Sequence, residues 1–207
     1  MALYLHGFGP AAGRPIVALH NMTGNGGRWA EIARRLDGFR VLAPDLRGFG
    51  RSPQEPPWTL DYQVADLLAT LDAAGVDRAD LVGHSLGGSI AVHLARYAPD
   101  RVRRLVLLDP GIGVPPSIAL AQAAAERHPA TVTLWSELAR PAVTPPQGVP
   151  TLLVLAMRDR DAEFEYVAGW RAECGSLTVA HLDCGHAIPE ERPDETADLI
   201  RAFLAES

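Results

Sequence analysis

The sequence predicts an α/β protein built on a mostly parallel, twisted sheet with helices on both faces. Three observations lead there. Short apolar runs alternate with longer amphipathic stretches along the chain, the pattern of strand–helix–strand crossovers. Several runs are apolar at consecutive positions, as in Leu105-Val106-Leu107-Leu108 and Leu152-Leu153-Val154-Leu155, and unbroken apolarity means burial on both faces of a sheet. A glycine-flanked serine, Gly83-His84-Ser85-Leu86-Gly87, stands where one such run passes directly into an apolar helical stretch.

In chain order, residues 3–6 read as an extra edge strand. The Gly/Pro-rich segment 7–14 then turns it into a hairpin with the next strand. Further strands are expected at 16–20, 39–43, 80–83, 104–109, 151–157 and 177–182. Apolar residues recur at helical intervals over 29–36, 62–74, 87–97 and 193–204. The stretch 111–149 breaks this rhythm. It holds no convincing strand, prolines cluster at its two ends, and two short helices fit at 117–127 and 132–140. It reads as an insertion between two strands of a single domain spanning 1–207, not as a second domain.

Composition narrows the function classes. With 47% apolar and 21% charged residues, the chain can bury a full core without disulfides or metals. Nineteen basic against 25 acidic residues give a net charge of −6, so neither nucleic acid nor anionic lipid is an expected partner. Two cysteines, Cys174 and Cys184, make no disulfide framework, and neither C-x-x-C nor H-E-x-x-H occurs. No metal site and no cofactor are expected. Residues 1–10 lack a basic leader, and no window approaches eighteen uninterrupted apolar residues. A soluble, cytoplasmic protein is the expectation, acting as a monomer or homodimer.

The chemistry centres on Ser85. A strand that turns at once into a helix forces the apex residue into a strained backbone conformation, and side chains two positions either side would collide. Hence Gly83 and Gly87 flank it. The turn pushes the Ser85 hydroxyl out at the carboxyl edge of the sheet, where the following helix directs its free N–H groups and dipole. The apolar strand before it and the apolar helix after it (Ile90, Ala91, Leu94) supply the context the motif requires.

With these residues the chain resembles the α/β-hydrolase superfamily along essentially its whole length. His20-Asn21-Met22-Thr23 resembles the segment that carries one oxyanion donor, and Asp45-Leu46-Arg47-Gly48-Phe49-Gly50-Arg51-Ser52 resembles a second family turn. The resemblance implies backbone N–H donors at Met22 and Leu86 for an oxyanion. Asn21 departs from the family, which usually has Gly there. It could add a third donor or narrow the pocket, and with His84 and Trp135 it is a candidate for substrate contact. Asp45 and Arg47 are read as a structural turn pair, and Trp29 as packing.

Seven histidines compete as base for Ser85. His6 and His20 fall near early strand ends, His84 lies inside the elbow, His93 and His128 stand in helical contexts, and His181 lies within the last strand. His186, in Asp183-Cys184-Gly185-His186-Ala187, follows that strand on a loop that returns to the carboxyl edge. It is the expected base. The acid is selected by the family's spacing. Relatives usually have Gly where this chain has Ala156, with the acid three residues on, which points to Asp159. Asp161 and Asp109, which also ends a strand, are the alternatives.

The expected function is a carboxylesterase that cleaves small-molecule esters of small to medium size through an acyl-enzyme. The alternatives are other Ser-dependent acyl chemistry (perhydrolysis, thioester, lactone or carbon–carbon cleavage) or a ligand-binding protein that has lost turnover. The insertion 111–149 is expected to form a minimal lid over a relatively open site. Leu134, Trp135 and Leu138 are its pocket-facing candidates, unless they simply pack on the sheet.

Overall fold

The structure, a computed structural model, describes residues 1–158 and 164–205. Seven strands form one sheet: β1 (Leu5–Phe8), β2 (Arg14–Leu19), β3 (Phe39–Pro44), β4 (Ala79–His84), β5 (Val102–Leu108), β6 (Thr151–Ala156) and β7 (Leu177–Leu182). Their order across the sheet is β1-β3-β2-β4-β5-β6-β7. All neighbouring pairs are parallel except β1 with β3.

The edge strand departs from expectation. β1 does not form a hairpin with β2, because β2 is already hydrogen-bonded on both sides, by β3 and β4. It adds to the free side of β3 instead, with Leu5 opposite Pro44 and Phe8 opposite Val41.

The helices are α1 (Ala30–Ala33), α2 (Leu60–Ala73), α3 (Leu86–Tyr97), α4 (Pro116–Ala125), α5 (Pro129–Leu138), α6 (Glu165–Glu173), α7 (Ile188–Glu191) and α8 (Pro193–Ala205). Two of them, α6 and α7, are not anticipated above. α6 has a weakly apolar composition and buries only Val167 and Trp170. α7 is one turn long.

Alternation within each strand explains why the strands read as unbroken apolar runs. Successive side chains point to opposite faces. Val17, Leu81, Leu105, Leu107, Leu153 and Leu155 join one core with α2, α3, α5 and α6. Ile16, Ala18, Val82, Val106, Leu108, Leu152 and Val154 join a second core with α1 and α8. The central strands are therefore apolar at consecutive positions, and the parallel strands all end at one edge of the sheet, where crossover loops gather.

The turn at 45–52 is held by buried polar groups. Asp45 and Arg47, expected to form a turn pair, each bond elsewhere in the fold and not to one another. Asp45 accepts from the Gly26 and Arg51 N–H groups, each at 2.8 Å, and lies 2.9 Å from His6 Nε2. Burial pushes its carboxyl up, but the Arg51 and Gly26 donors and His6 outweigh that and hold it below the usual range. Arg47 reaches α2 and donates from Nε to Asp66 Oδ2 at 2.5 Å, both side chains being buried. Removing one partner of such a pair leaves a buried charge uncompensated. Asp66→Ala is therefore expected to lower the unfolding free energy by about 3 kcal/mol, measured by urea denaturation at neutral pH. A change below about 1 kcal/mol, the usual value of an exposed pair, would contradict this role.

Candidate active site

The elbow is built by close approach of backbones. A Cβ added at Gly83 would lie 2.4 Å from Gly87 O, and one at Gly87 would lie 2.3 Å from Leu19 O. No side chain fits at either place, so α3 begins immediately on leaving β4. Ser85, at the apex, takes φ 53° and ψ −118°, a region that non-glycine residues occupy only when the surroundings enforce it. Its N–H donates to Leu108 O at 3.0 Å, and its carbonyl accepts from Gly88, Ser89 and Gly111. The strained peptide is pinned on every side.

His186 meets Ser85 from the loop after β7. Its Nε2 lies 2.9 Å from Ser85 Oγ, and its Nδ1 lies 2.6 Å from Asp109 Oδ2. The imidazole is 53% exposed and the Asp109 side chain 1% exposed. Asp109 directly follows β5 and has φ 41°. Its N–H donates to Val154 O at 2.8 Å, and its Oδ1 lies 3.4 Å from the Ala156 N–H. An imidazole held between a hydroxyl and a buried carboxylate can take the hydroxyl proton on Nε2 while the carboxylate stabilises the resulting cation.

Ser85 and His186 are brought together as the sequence suggests. Asp159 and Asp161 lie outside the described residues, and the carboxylate that meets the ring is Asp109. β5 is the immediate neighbour of β4, so Asp109 at its end lies one strand from the elbow. The signal in the sequence was an aspartate at the end of the apolar run Leu105-Val106-Leu107-Leu108.

Met22 and Leu86 are both buried beside the elbow. Among the described residues neither N–H has a protein acceptor, which leaves both donors available. Leu86 opens α3, where the first N–H groups of a helix have no intrahelical partner. Asn21 is partly buried, and its Oδ1 is buried without a hydrogen-bond partner. Trp135 is partly buried on α5 and packs against the first core, the bland alternative for that residue. His84 departs from the expected substrate contact. Its ring is turned inward, with Nε2 at 2.7 Å from the His186 backbone oxygen.

His20 is likewise internal. Its Nδ1–H donates to Asn21 O at 2.7 Å and its Nε2 accepts from the Leu46 N–H at 3.0 Å, so it ties the loop after β2 to the 45–52 turn. The 45–52 turn also brings Phe49 edge-on to His20, with ring centroids 5.5 Å apart. Trp29 is buried, as its packing role requires. Cys174 and Cys184 are both free and buried, and burial raises both thiols.

A site of this geometry, at the carboxyl edge of a sheet of this order, defines a class. The family model described as alpha/beta hydrolase fold matches residues 14–149, and the chain belongs to that family. The lipase LipV of Mycobacterium tuberculosis (strain ATCC 25618 / H37Rv) is 33% identical to it, over 98% of this chain and 97% of that protein. The 2-hydroxymuconate semialdehyde hydrolase of Pseudomonas sp. (strain CF600) is 41% identical over 106 residues, 47% of this chain and 36% of that protein. Among solved structures, the enol-lactonase from Burkholderia xenovorans LB400 superposes with a TM-score of 0.87 at 20% identity, covering 99% of this chain and 96% of that one. The chain is thus a hydrolase of the α/β fold. No described helix is long and apolar enough to cross a membrane.

The two internal histidines set an acid limit on stability. Burial lowers both His20 and His84 to about 4, with the neighbouring His186 adding to the effect at His84. An unfolded histidine takes up its proton near pH 6.5. Below that pH the unfolded chain binds more protons than the folded one. Stability is therefore full above about pH 6.5 and is lost as pH falls toward 4, by about 1.4 kcal/mol per pH unit for each histidine at the steepest. Urea midpoints taken from pH 7.5 to 4.5 measure this, and a flat profile across the window would exclude it.

Proposed function

We propose that the protein is a serine hydrolase that cleaves small-molecule carboxylic esters of small to medium size through an acyl-enzyme. The observation that carries this reading is the continuous contact from Ser85 Oγ through both nitrogens of His186 to Asp109. In the proposed reaction Ser85 Oγ attacks the ester carbonyl while His186 Nε2 takes its proton. The tetrahedral oxyanion lies against the N–H groups of Met22 and Leu86. It collapses with loss of the alcohol, to which His186 returns the proton. Water, deprotonated by the same imidazole, then releases the acid and restores Ser85. Asp109 fixes the Nδ1–H tautomer and balances the imidazolium charge. Side chains and water carry every proton, so the chemistry calls for no cofactor.

Three further points support the ester reading. The nucleophile position holds Ser and not Asp. The relative that spans nearly the whole chain is named a lipase. Between β5 and β6, α4 and α5 are short helices of ten residues each, and as a cap they would leave the site open to compact substrates and impose little selection by length. The relative named for a semialdehyde is matched over only 36% of its length and carries less weight.

A p-nitrophenyl ester series from acetate to octanoate tests this together with fluorophosphonate labelling. Ser85→Ala is expected to abolish both turnover and labelling. Asp109→Asn is expected to lower kcat by about three to four orders of magnitude, since it strands the imidazole in the wrong tautomer. Asp159→Asn is expected to stay within about twofold of the unsubstituted enzyme, because the imidazole already has its carboxylate in Asp109. A reversed order of damage between the two aspartates would overturn the acid assignment. Absence of ester turnover and labelling in the unsubstituted protein would overturn the function.

A further inference from the structure

The steric rule of the elbow restricts Gly83 and Gly87 and leaves the residue between Gly83 and Ser85 free to vary. In this chain it is a histidine whose side chain is not offered to substrate. His84 is 2% exposed. Its Nε2–H donates to the backbone oxygen of His186 at 2.7 Å, and the same oxygen accepts from the Ile188 N–H at 2.9 Å. A carbonyl only accepts, so the proton of a neutral His84 ring sits on Nε2. The two histidine rings lie 5.1 Å apart at 44°.

His186 needs such support. Its imidazole is 53% exposed, so packing covers only part of it, and the ring contacts Ser85 and Asp109 only if its backbone stands at the right height above the sheet. The loop is fixed on its other side by Gly185, whose N–H donates to Glu191 Oε2 at 3.1 Å, with Glu191 in turn 2.6 Å from Arg158 Nη1. The His84 bond spans 102 positions of sequence and arises from the residue covalently joined to Ser85. One peptide unit thus carries the attacking oxygen on one side and a tether to its partner on the other.

We propose that His84 is a positioning residue, which by holding the His186 carbonyl sets the base-bearing loop over Ser85. The inference rests on the reading of Ser85 and His186 as nucleophile and base. It also accounts for a histidine at a place where charge would be harmful. The groups that face His84 are His186, Asp109 and Arg28, the last on the side where Arg28 meets Glu190. Burial keeps its ring neutral near pH 7, so it adds no positive charge beside an imidazolium forming at His186.

The test compares His84→Leu, which cannot donate, with His84→Gln, whose amide can reach the same carbonyl, and takes Ser85→Ala as the inactive control. Steady-state kinetics on p-nitrophenyl butyrate, the rate of fluorophosphonate labelling and the melting temperature are read on each. His84→Leu is expected to lower kcat and the labelling rate together by about tenfold or more, with KM within about twofold, because only the approach of base to nucleophile is disturbed. His84→Gln is expected to recover to within about threefold of the unsubstituted enzyme, whatever its melting temperature, by restoring a neutral donor. Should the leucine variant fail to fold, His84→Asn, polar but one methylene too short, takes its place in the comparison with Gln. An unsubstituted protein that neither labels nor turns over refutes the Ser85 reading itself. If it does both, full activity in the non-donating variant overturns the positioning role, and so does equal loss in both variants that follows the melting temperature.

Discussion

The site depends on how closely the α3 backbone lies against the ends of β4 and β2. Gly83 faces Gly87 O, and Gly87 faces Leu19 O, at distances that admit no Cβ. This approach lets α3 start with no connecting loop, and so Ser85 has no relaxed conformation open to it. The same geometry places the unpaired N–H of Leu86 beside the hydroxyl. Parallel strands deliver the remaining parts, since the loops after β2, β5 and β7 all leave the sheet at the edge where the elbow stands. Any residue larger than glycine at 83 or 87 would move the helix, and with it the Ser85 hydroxyl and the Leu86 N–H.

Much of this arrangement was legible in the sequence, for a physical reason. Strands buried on both faces are apolar at every position, and the elbow is a local motif whose steric demand leaves a local trace. His186 was legible from chain order and its place after the last strand. The carboxylate on its ring was not, because spacing along one strand does not report which strand ends lie side by side. Leu108 and Ala156 are each followed by an aspartate within three residues, and the sheet order brings Asp109 to the ring. Pairing of the edge strand was hidden in the same way. β1 and β2 are neighbours in sequence but β1 lies on β3.

His84 illustrates a signal present but unused. Successive strand residues alternate in face, so His84 shares the side of Val82 rather than that of Leu81. Val82 belongs to the core formed with Cys184, Ile188 and α8, the segment that carries His186. Period-two reading therefore places His84 under the His186 loop and away from solvent. Three histidines near the site show how environment divides one residue type. His20 and His84 are sealed in, neutral and bonded to backbone groups, while His186 stands half in water with a nitrogen turned to Ser85.

Asp109 also has a bearing on how this scaffold can be altered. It is followed at once by Pro110 and Gly111, the root of the segment that carries α4 and α5. That root is locked to the elbow. Gly111 N–H donates to Ser85 O at 2.9 Å, and a Cβ at Gly88 would lie 2.7 Å from Pro110 Cβ. A transplanted or lengthened cap joined upstream of Gly111 would drag on the peptide that orients the imidazole. Joined downstream of it, the cap could be exchanged as a module while Ser85, His186 and Asp109 stay in register. The boundary between exchangeable and fixed parts of this molecule thus falls within two residues of its buried carboxylate.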